Sequence, residues 1–312
     1  MRLEVAGRGW WPLSRDGRRR PAASGEPTGI QEKMLESTLE RKFSVAGAEV
    51  GGNELALIAG PCVIESADSC LDVAREVKRI AGDLGIPLIF KASYAKANRT
   101  SVHSFRGPGL DEGLRILAQV RDKVGVPVLS DVHSVDEVAA AARVLDVLQV
   151  PAFLCRQSEL VEACGKTGKP INVKKGQFLA PEDTRFILDK LALAGARRVM
   201  LTERGTSFGY HNLVVDMRGI ATMRDFGVPV VFDVTHSLQT PGGERTGGDR
   251  RFAATLARAA VAAGCDVLFV ETHRQPEKAL SDAGTMLPLS ELGSFLEDMK
   301  RMRQAYVASS SK

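Results

Sequence analysis

No run of about 18 apolar residues occurs anywhere in this 312-residue chain, which leaves no candidate for a membrane-spanning helix. The N-terminus lacks the apolar segment and small-residue cleavage site of a secretory signal, so the expected address is cytoplasmic. Cysteine is scarce and odd in number. Cys62, Cys70, Cys155, Cys164 and Cys265 show neither metal-knuckle nor disulfide-framework spacing, which predicts reduced thiols, most of them in the core. Net positive charge is also thin once it is located. Residues 1–33 carry seven Lys/Arg against four Asp/Glu, so of the formal +4 only +1 belongs to the remainder. A nucleic-acid partner is not expected from such a balance.

What is present sorts into three stretches. Residues 1–45 have no apolar periodicity and carry Gly7, Gly9, Arg18, Arg19, Arg20, Pro21 and Pro27. That composition predicts a disordered extension. A start at Met34 explains it better than a targeting peptide, because no amphipathic helix is legible there. Residues 46–306 are expected to form one catalytic domain, and 307–312 a flexible tail.

Within that domain, short apolar runs alternate with helical patterns, as in a parallel sheet whose strands are linked by helices. The predicted strands are Ala56 to Ala59, Pro87 to Lys91, Pro127 to Asp131, Val147 to Pro151, Pro170 to Val173, Arg198 to Thr202, Pro229 to Asp233 and Val267 to Val270. Their Val/Ile/Leu content without alternation suits strands covered on both faces. Helical spacing is clearest over Cys70 to Asp83, Leu110 to Lys123, Pro181 to Leu193 and Arg251 to Ala263. Four helix-to-strand junctions read Gly-X-Pro, at Gly85, Gly125, Gly168 and Gly227. Glycine ends a helix in the left-handed conformation, and proline prevents its continuation.

Eight such units in roughly 250 residues predict an α/β fold, a single (β/α)8 TIM barrel. The alternative, an open doubly wound sheet, lacks a glycine-rich dinucleotide fingerprint after its first strand. A barrel requires its reactive residues just after the strands, at the C-terminal mouth. The chain meets that requirement. Strand ends carry Cys62 to Ser66, Lys91 to Arg99, Asp131 to His133, Lys174-Lys175, Glu203 to Gly205, Asp233 to His236 and Glu271 to His273, whereas the strand starts carry Gly, Pro and little else.

Lys91, Lys96, Arg99, Lys174 and Arg204 would then converge on one concave face, and such crowding calls for an anion such as phosphate or carboxylate. Taken singly, each reads equally as a solvated loop cation or as a salt-bridge partner of Asp131 or Glu203. Cys62, His236, Glu271 and Asp282 are metal-ligand types that suit a borderline divalent ion, Zn, Fe, Co or Mn, better than Mg or Ca. On residue chemistry alone His103, His133, His211 and His273 stand equally, and Cys62 reads equally as a small buried hydrophobe.

From about Leu55 to Met302 the chain resembles the 3-deoxy-D-manno-octulosonate 8-phosphate synthases. The resemblance is carried by Ile58 to Ser66, Phe90 to Ser93 with Lys96 to Arg99, and Phe105 to Gly109. It continues through Gln149 to Phe153 with Arg156-Gln157, Asn172 to Phe178, Thr202 to Gly205, Thr235 to Gln239 and Glu271 to His273. It implies a transferase that condenses phosphoenolpyruvate with arabinose 5-phosphate and water, releasing inorganic phosphate, with a product that feeds lipopolysaccharide synthesis. A cysteine at position 62 implies the class that needs a divalent metal (Mn, Fe, Co or Zn), with Cys62, His236, Glu271 and Asp282 as ligands. Lys96, Lys174 and Arg204 fall on the phosphoenolpyruvate positions, with Lys91, Ser93 and Gln149 nearby. Asn98, Arg99 and Thr100 fall on the aldose-phosphate site, Arg156 is expected from a neighbouring subunit of a homotetramer, and Lys96, Asn98, Asp131 and His236 are the expected catalytic residues.

Three rivals remain at this level. The related 3-deoxy-D-arabino-heptulosonate 7-phosphate synthases use erythrose 4-phosphate and place proline between the lysine and arginine of the second-strand loop, where this chain has Lys96-Ala97-Asn98-Arg99. A Schiff-base aldolase would need Lys91 or Lys174 as a desolvated nucleophile. A non-catalytic sugar-phosphate sensor would have no need of His236 or Glu271. His211 has no assigned role, and Glu244 to Gly248 reads as a flexible loop after the seventh strand.

Overall fold

The computed structural model describes residues 38–96, 105–209, 211–241 and 247–310. Two short strands, β1 (Phe43–Val45) and β2 (Ala48–Val50), form an antiparallel hairpin ahead of the barrel. The eight predicted barrel strands then appear in order: β3 (Ala56–Gly60), β4 (Leu88–Lys91), β5 (Val128–Asp131), β6 (Val147–Val150), β7 (Ile171–Lys174), β8 (Val199–Glu203), β11 (Val230–Asp233) and β14 (Val267–His273). Each pairs in parallel with its predecessor, and β14 returns to pair with β3, which closes the barrel. Around it run α1 (Ala67–Asp83), α2 (Leu110–Val124), α3 (Val135–Val144), α4 (Ser158–Gly165), α5 (Arg185–Leu193), α6 (Arg218–Arg224), α7 (Ala253–Ala262) and α8 (Leu292–Ser310). The mouth adds short pairs, β9 (Thr206–Ser207) with β10 (Leu213–Val214) and β12 (Gln239–Thr240) with β13 (Gly247–Gly248), and β15 (Leu287–Pro288), which extends β14.

Predicted and observed strands agree to within a residue or so at most ends, and β14 runs three residues further, to His273. The four predicted glycine caps all hold positive φ, between 63° and 75°. Among the described residues, β1 falls within the stretch expected to be disordered and α8 extends past residue 306. The reason is packing. Phe43, Val45, Ala48 and Val50 join Ala56, Ile58, Ile89, Leu129, Val147, Met200, Val231, Val267 and Phe269 in one buried cluster, so the hairpin plugs the base of the barrel. Arg303 of α8 is buried against that base, donating to the carbonyls of Gly52, Asn53 and Cys265. The reading of residues 1–33 as a possible mis-assigned start lies outside the described residues.

Side chains along a strand alternate between the two faces, and this alternation divides the barrel into layers. Inward positions near the base are apolar: Ile58, Ile89, Leu129, Val147, Met200, Val231 and Val267. One step further along the same strands they become polar or charged: Lys91, Asp131, Gln149, Asn172, Lys174, Thr202, Asp233 and Glu271. The outward positions instead meet the helices in a second, larger apolar cluster that includes Leu57, Phe90, Val128, Leu148, Val173, Leu201, Phe232 and Leu268. The polar layer is therefore a tier of charge laid over an apolar floor, on the side of the mouth.

Candidate active site

A cavity of about 350 Å³ opens on that polar layer, lined among others by Lys91, Lys96, Asp131, His133, Lys174, Arg204 and His236. Six of these come from the strand ends or the turns that follow them, as the barrel geometry requires.

On the β14 side, the ligand atoms of Cys62, Glu271 and Asp282 all lie within 4.8 Å of one another. Cys62 Sγ donates to Asp282 Oδ2 at 2.9 Å. His236, the fourth expected ligand, stands beside this group with Nε2 3.7 Å from Glu271 Oε2. Its other ring nitrogen faces Asp233 Oδ2 at 2.8 Å, an arrangement that orients an imidazole and leaves Nε2 available. Glu271 Oε2 is buried without a hydrogen-bond partner among the described residues. Burial pushes the Cys62 thiol well above its ordinary pKa, and the carboxylates of Asp282 and Glu271 push it further. A buried thiol between two carboxylates, next to an orphaned carboxylate oxygen and a poised imidazole, fits a divalent cation. The backbone supports this corner at some cost: Asp282 adopts φ of 50°, sparsely populated for a non-glycine residue.

Gly60 lets the metal-ligand corner and the lysine side of the wall meet. A Cβ at Gly60 would stand 2.1 Å from the Lys91 carbonyl oxygen, so no other residue fits between β3 and β4 there. Lys91 passes that gap to donate to Glu271 Oε1 at 2.6 Å and to the Cys62 carbonyl at 2.9 Å. Lys174 donates to Asp233 Oδ2 at 2.6 Å, and its ammonium sits 3.7 Å from the centre of the Phe269 ring. Burial pulls the Lys174 pKa below the ordinary amine value, with Asp233 and Asp131 opposing. Lys96 reaches Asp282 at 4.0 Å.

Arg204 differs from these lysines. It is buried, it donates through Nη2 to Gln239 Oε1 at 2.8 Å, and its Nε and Nη1 have no hydrogen-bond partner among the described residues. A buried guanidinium with two unsatisfied donors beside a cavity is a half-built anion site. The loop that carries it is organised from beneath by Glu203, whose Oε1 accepts from the backbone N–H groups of Arg204 and Gly205. Lys175, fully buried on the outer face of the strand, braces the same turn 3.6 Å from Glu203 Oε1.

Opposite the metal-ligand corner, Asp131 accepts from Ser93 Oγ at 2.6 Å and from Gln149 Nε2 at 2.7 Å. Burial alone would raise its pKa, but the ammonium groups of Lys91, Lys174 and Lys96 outweigh burial and hold it below the usual carboxylate range.

The expected residues are thus distributed unevenly. Cys62, Glu271, Asp282 and His236 come together, as do Lys91, Ser93, Lys96, Asp131, Gln149, Lys174 and Arg204. Arg156 is exposed on the turn after β6 and does not line the cavity. Asn98, Arg99 and Thr100 lie outside the described residues, as does His103. His211 is exposed and is not among the described residues that line the cavity. Sequence reasoning passed over Asp233, which serves both Lys174 and His236, and Gln239, whose Nε2 donates to Asp282 Oδ1 at 2.7 Å while its Oε1 receives Arg204. Both sat within stretches already singled out, after strand seven; what identifies them is a contact across the mouth.

Comparison with known proteins agrees with this geometry. Residues 37–308 match the DAHP synthetase I family. The 2-dehydro-3-deoxyphosphooctonate aldolase of Trichlorobacter lovleyi is 56% identical over 267 residues, covering 85% of this chain and 98% of that protein. The protein of that name from Geobacter sp. (strain M21) is 55% identical, over 84% of this chain and 97% of its own. Its counterpart in Syntrophobacter fumaroxidans is 54% identical, over 82% and 90%. With a closed eight-stranded barrel, a cation-lined cavity and this degree of identity along nearly all of the described residues, the chain belongs to the DAHP synthetase I family, within its 2-dehydro-3-deoxyphosphooctonate aldolase members.

Proposed function

We propose the following division of labour for the reaction of a 2-dehydro-3-deoxyphosphooctonate aldolase, the condensation of phosphoenolpyruvate with arabinose 5-phosphate and water to give 3-deoxy-D-manno-octulosonate 8-phosphate and inorganic phosphate. The observation that carries it is Arg204: two guanidinium nitrogens, buried and without a partner among the described residues, beside a cavity that Lys96 and Lys174 also line. Phosphoenolpyruvate, with a phosphate and a carboxylate on adjacent groups, supplies the anionic oxygens such a set lacks. Lys174, held by Asp233, and Lys96, beside Asp282, bind the same substrate from the other sides. Holding two reactants in register recovers roughly 7 to 11 kcal/mol of a bimolecular barrier, and the buried ion pairs that immobilise these lysines serve that end.

Cys62, His236, Glu271 and Asp282 would hold a divalent ion of the Mn, Fe, Co or Zn kind. Such an ion, when bound, supplies Lewis acidity toward an aldehyde or water oxygen. Asp131 keeps a fixed negative charge among the lysines, and Ser93 and Gln149 orient it. Asn98, Arg99 and Thr100 would take the sugar phosphate. Arg156, exposed on its turn, would complete the site of a neighbouring copy in a homotetramer; Phe153, Phe178 and Phe208, exposed on the turns after β6, β7 and β8, support a subunit contact on that side of the mouth. The enzyme would act in the cytoplasm, upstream of lipopolysaccharide assembly; no helix among the described residues is long and apolar enough to cross a membrane.

The Schiff-base reading loses ground, because Lys91 and Lys174 are each engaged by a carboxylate oxygen at 2.6 Å. The erythrose 4-phosphate reading is less supported, because the relatives described above bear the octonate name. Phosphate release from phosphoenolpyruvate, assayed with either sugar phosphate on metal-stripped protein and again after Mn or Zn is restored, tests the whole assignment. Activity with arabinose 5-phosphate that returns with metal is expected; preference for erythrose 4-phosphate, or full activity after stripping, would overturn the substrate or the metal assignment respectively.

A further inference from the structure

Four buried neutral side chains from successive positions round the barrel form a continuous hydrogen-bonded path that ends on Asp131. Thr202 Oγ1 donates to Asn172 Oδ1 at 2.6 Å, Asn172 Nδ2 donates to Gln149 Oε1 at 2.8 Å, and Gln149 Nε2 donates to Asp131 Oδ1 at 2.7 Å. From the other side Ser93 Oγ donates to Asp131 Oδ2 at 2.6 Å. Ser93, Gln149, Asn172 and Thr202 are fully buried. The register of the sheet places the middle members side by side, with Asp131 opposite Gln149 and Gln149 opposite Asn172.

Every hydrogen in this path points the same way, toward Asp131. A carboxylate can only accept, so Gln149 must present its NH2 group to Asp131 and its oxygen to Asn172, and Asn172 must in turn present its oxygen to the Thr202 hydroxyl. Bonds aligned in this way polarise one another, and at low local dielectric the effect is felt at the end of the path. The neighbouring lysines are held differently, Lys91 by Glu271 and Lys174 by Asp233, carboxylates on β14 and β11, two strands that carry no member of the path.

We propose that Asn172 and Thr202 are positioning residues for Asp131, acting through Gln149 to fix the plane of its carboxylate and the direction in which its hydrogen bonds run. Neither residue is among the described side chains that line the cavity, whereas Asp131 is. Loss of the Thr202 hydroxyl leaves the Asn172 oxygen without its donor, so the Asn172 amide is anchored from the Gln149 side alone and holds Gln149 less firmly. Asp131 then faces Lys91, Lys96, Lys174 and His133, the charged and titratable groups around it, with one of its two fixed donors loosened. The inference rests on the reading of the cavity as the reaction site.

The test compares Thr202→Val, which keeps the shape and removes the hydroxyl, with Thr202→Ser, which keeps the hydroxyl and removes a methyl. Arg204→Ala is assayed alongside, all as metal-loaded enzyme with phosphoenolpyruvate and arabinose 5-phosphate. Thr202→Val is expected to lower kcat about 3- to 10-fold with little change in KM, and to move the acidic limb of the kcat/KM profile upward. Thr202→Ser is expected to restore both. A wild-type profile in Thr202→Val, or equal impairment of Val and Ser variants, overturns the proposal, and the Arg204→Ala variant separates that from failure of the site reading, since full activity there overturns the site itself. Should Thr202→Val fail to fold, Thr202→Ala takes its place against Thr202→Ser, with the same fall in kcat and upward move of the acidic limb expected and a wild-type profile overturning the proposal.

Discussion

The imidazole of His236 and the ammonium of Lys174 share one oxygen: Asp233 Oδ2 lies 2.8 Å from His236 Nδ1 and 2.6 Å from Lys174 Nζ. One buried carboxylate thereby sets both the ring plane of a candidate metal ligand and the position of a candidate phosphoenolpyruvate cation. Its own charge is secured by these neighbours, which hold its pKa below the usual carboxylate range against the effect of burial.

Asp233→Asn retains the size of that group and removes its capacity to receive two donors on one charged oxygen. Partners that orient a metal-bound histidine are worth about 10- to 100-fold in metal affinity. The expected outcome is a loss of that order in Zn affinity, measured by competition with a chromophoric chelator, together with a raised KM for phosphoenolpyruvate. Unchanged affinity would show that His236 is oriented by something else.

Arg204 offers a sharper separation between charge and geometry. Arg204→Lys preserves the charge but cannot present both Nε and Nη1, the pair without partners among the described residues. Hydrogen bonds to charged groups contribute about 1.5–3 kcal/mol each, so kcat/KM for phosphoenolpyruvate is expected to fall by roughly 10- to 150-fold for each one lost. Steady-state kinetics with phosphoenolpyruvate varied at saturating sugar phosphate measures this, and an unimpaired lysine variant would mean that Arg204 serves only as a point charge.

The barrel was legible because its signals are local. Apolar runs, glycine caps such as Gly85 and Gly125, and reactive residues placed after strands are all readable within a few residues. The same locality explains what was missed. Nothing near Asp233 announces that Lys174, fifty-nine positions earlier, will bond to it, and Gln239 gains its meaning only from Asp282 and Arg204 across the mouth. The hairpin of β1 and β2 escaped for a different reason: its strands are three residues each, too short for alternation to register, and their apolar faces become a pattern only against the barrel floor.

Gly60 makes a prediction about the junction of metal-ligand and substrate halves. In Gly60→Ala the new Cβ would stand 2.1 Å from the Lys91 carbonyl oxygen, and backbone cannot yield as a flexible side chain can. β3 and β4 must move apart, which carries Lys91 away from Glu271 and Cys62. Overpacking of a closed core costs typically 1–3 kcal/mol. The variant is expected to unfold at a correspondingly lower urea midpoint and to bind Zn more weakly; wild-type values for both would show that the strands adjust without consequence.

The buried thiols predict how stability responds to alkali. Burial pushes Cys70 and Cys164 up to about 12, and Cys265 is raised by burial and by Asp266 beside it. A group whose pKa is raised by folding contributes stability that is whole below its unfolded value, about 8.5 for cysteine, and is lost as pH rises toward its folded value. The unfolded chain can ionise these thiols while the folded chain cannot. Each should therefore withdraw roughly 1 kcal/mol between pH of about 8.5 and 9.5. Urea unfolding at these two pH values checks the sum, and Cys164→Ala checks the share. That variant is expected to be less stable than wild type at neutral pH, because a buried side chain is cut back, yet to lose less between the two alkaline points. An undiminished pH dependence in Cys164→Ala would mean that some other group, and not this thiol, is deprotonating in the unfolded chain.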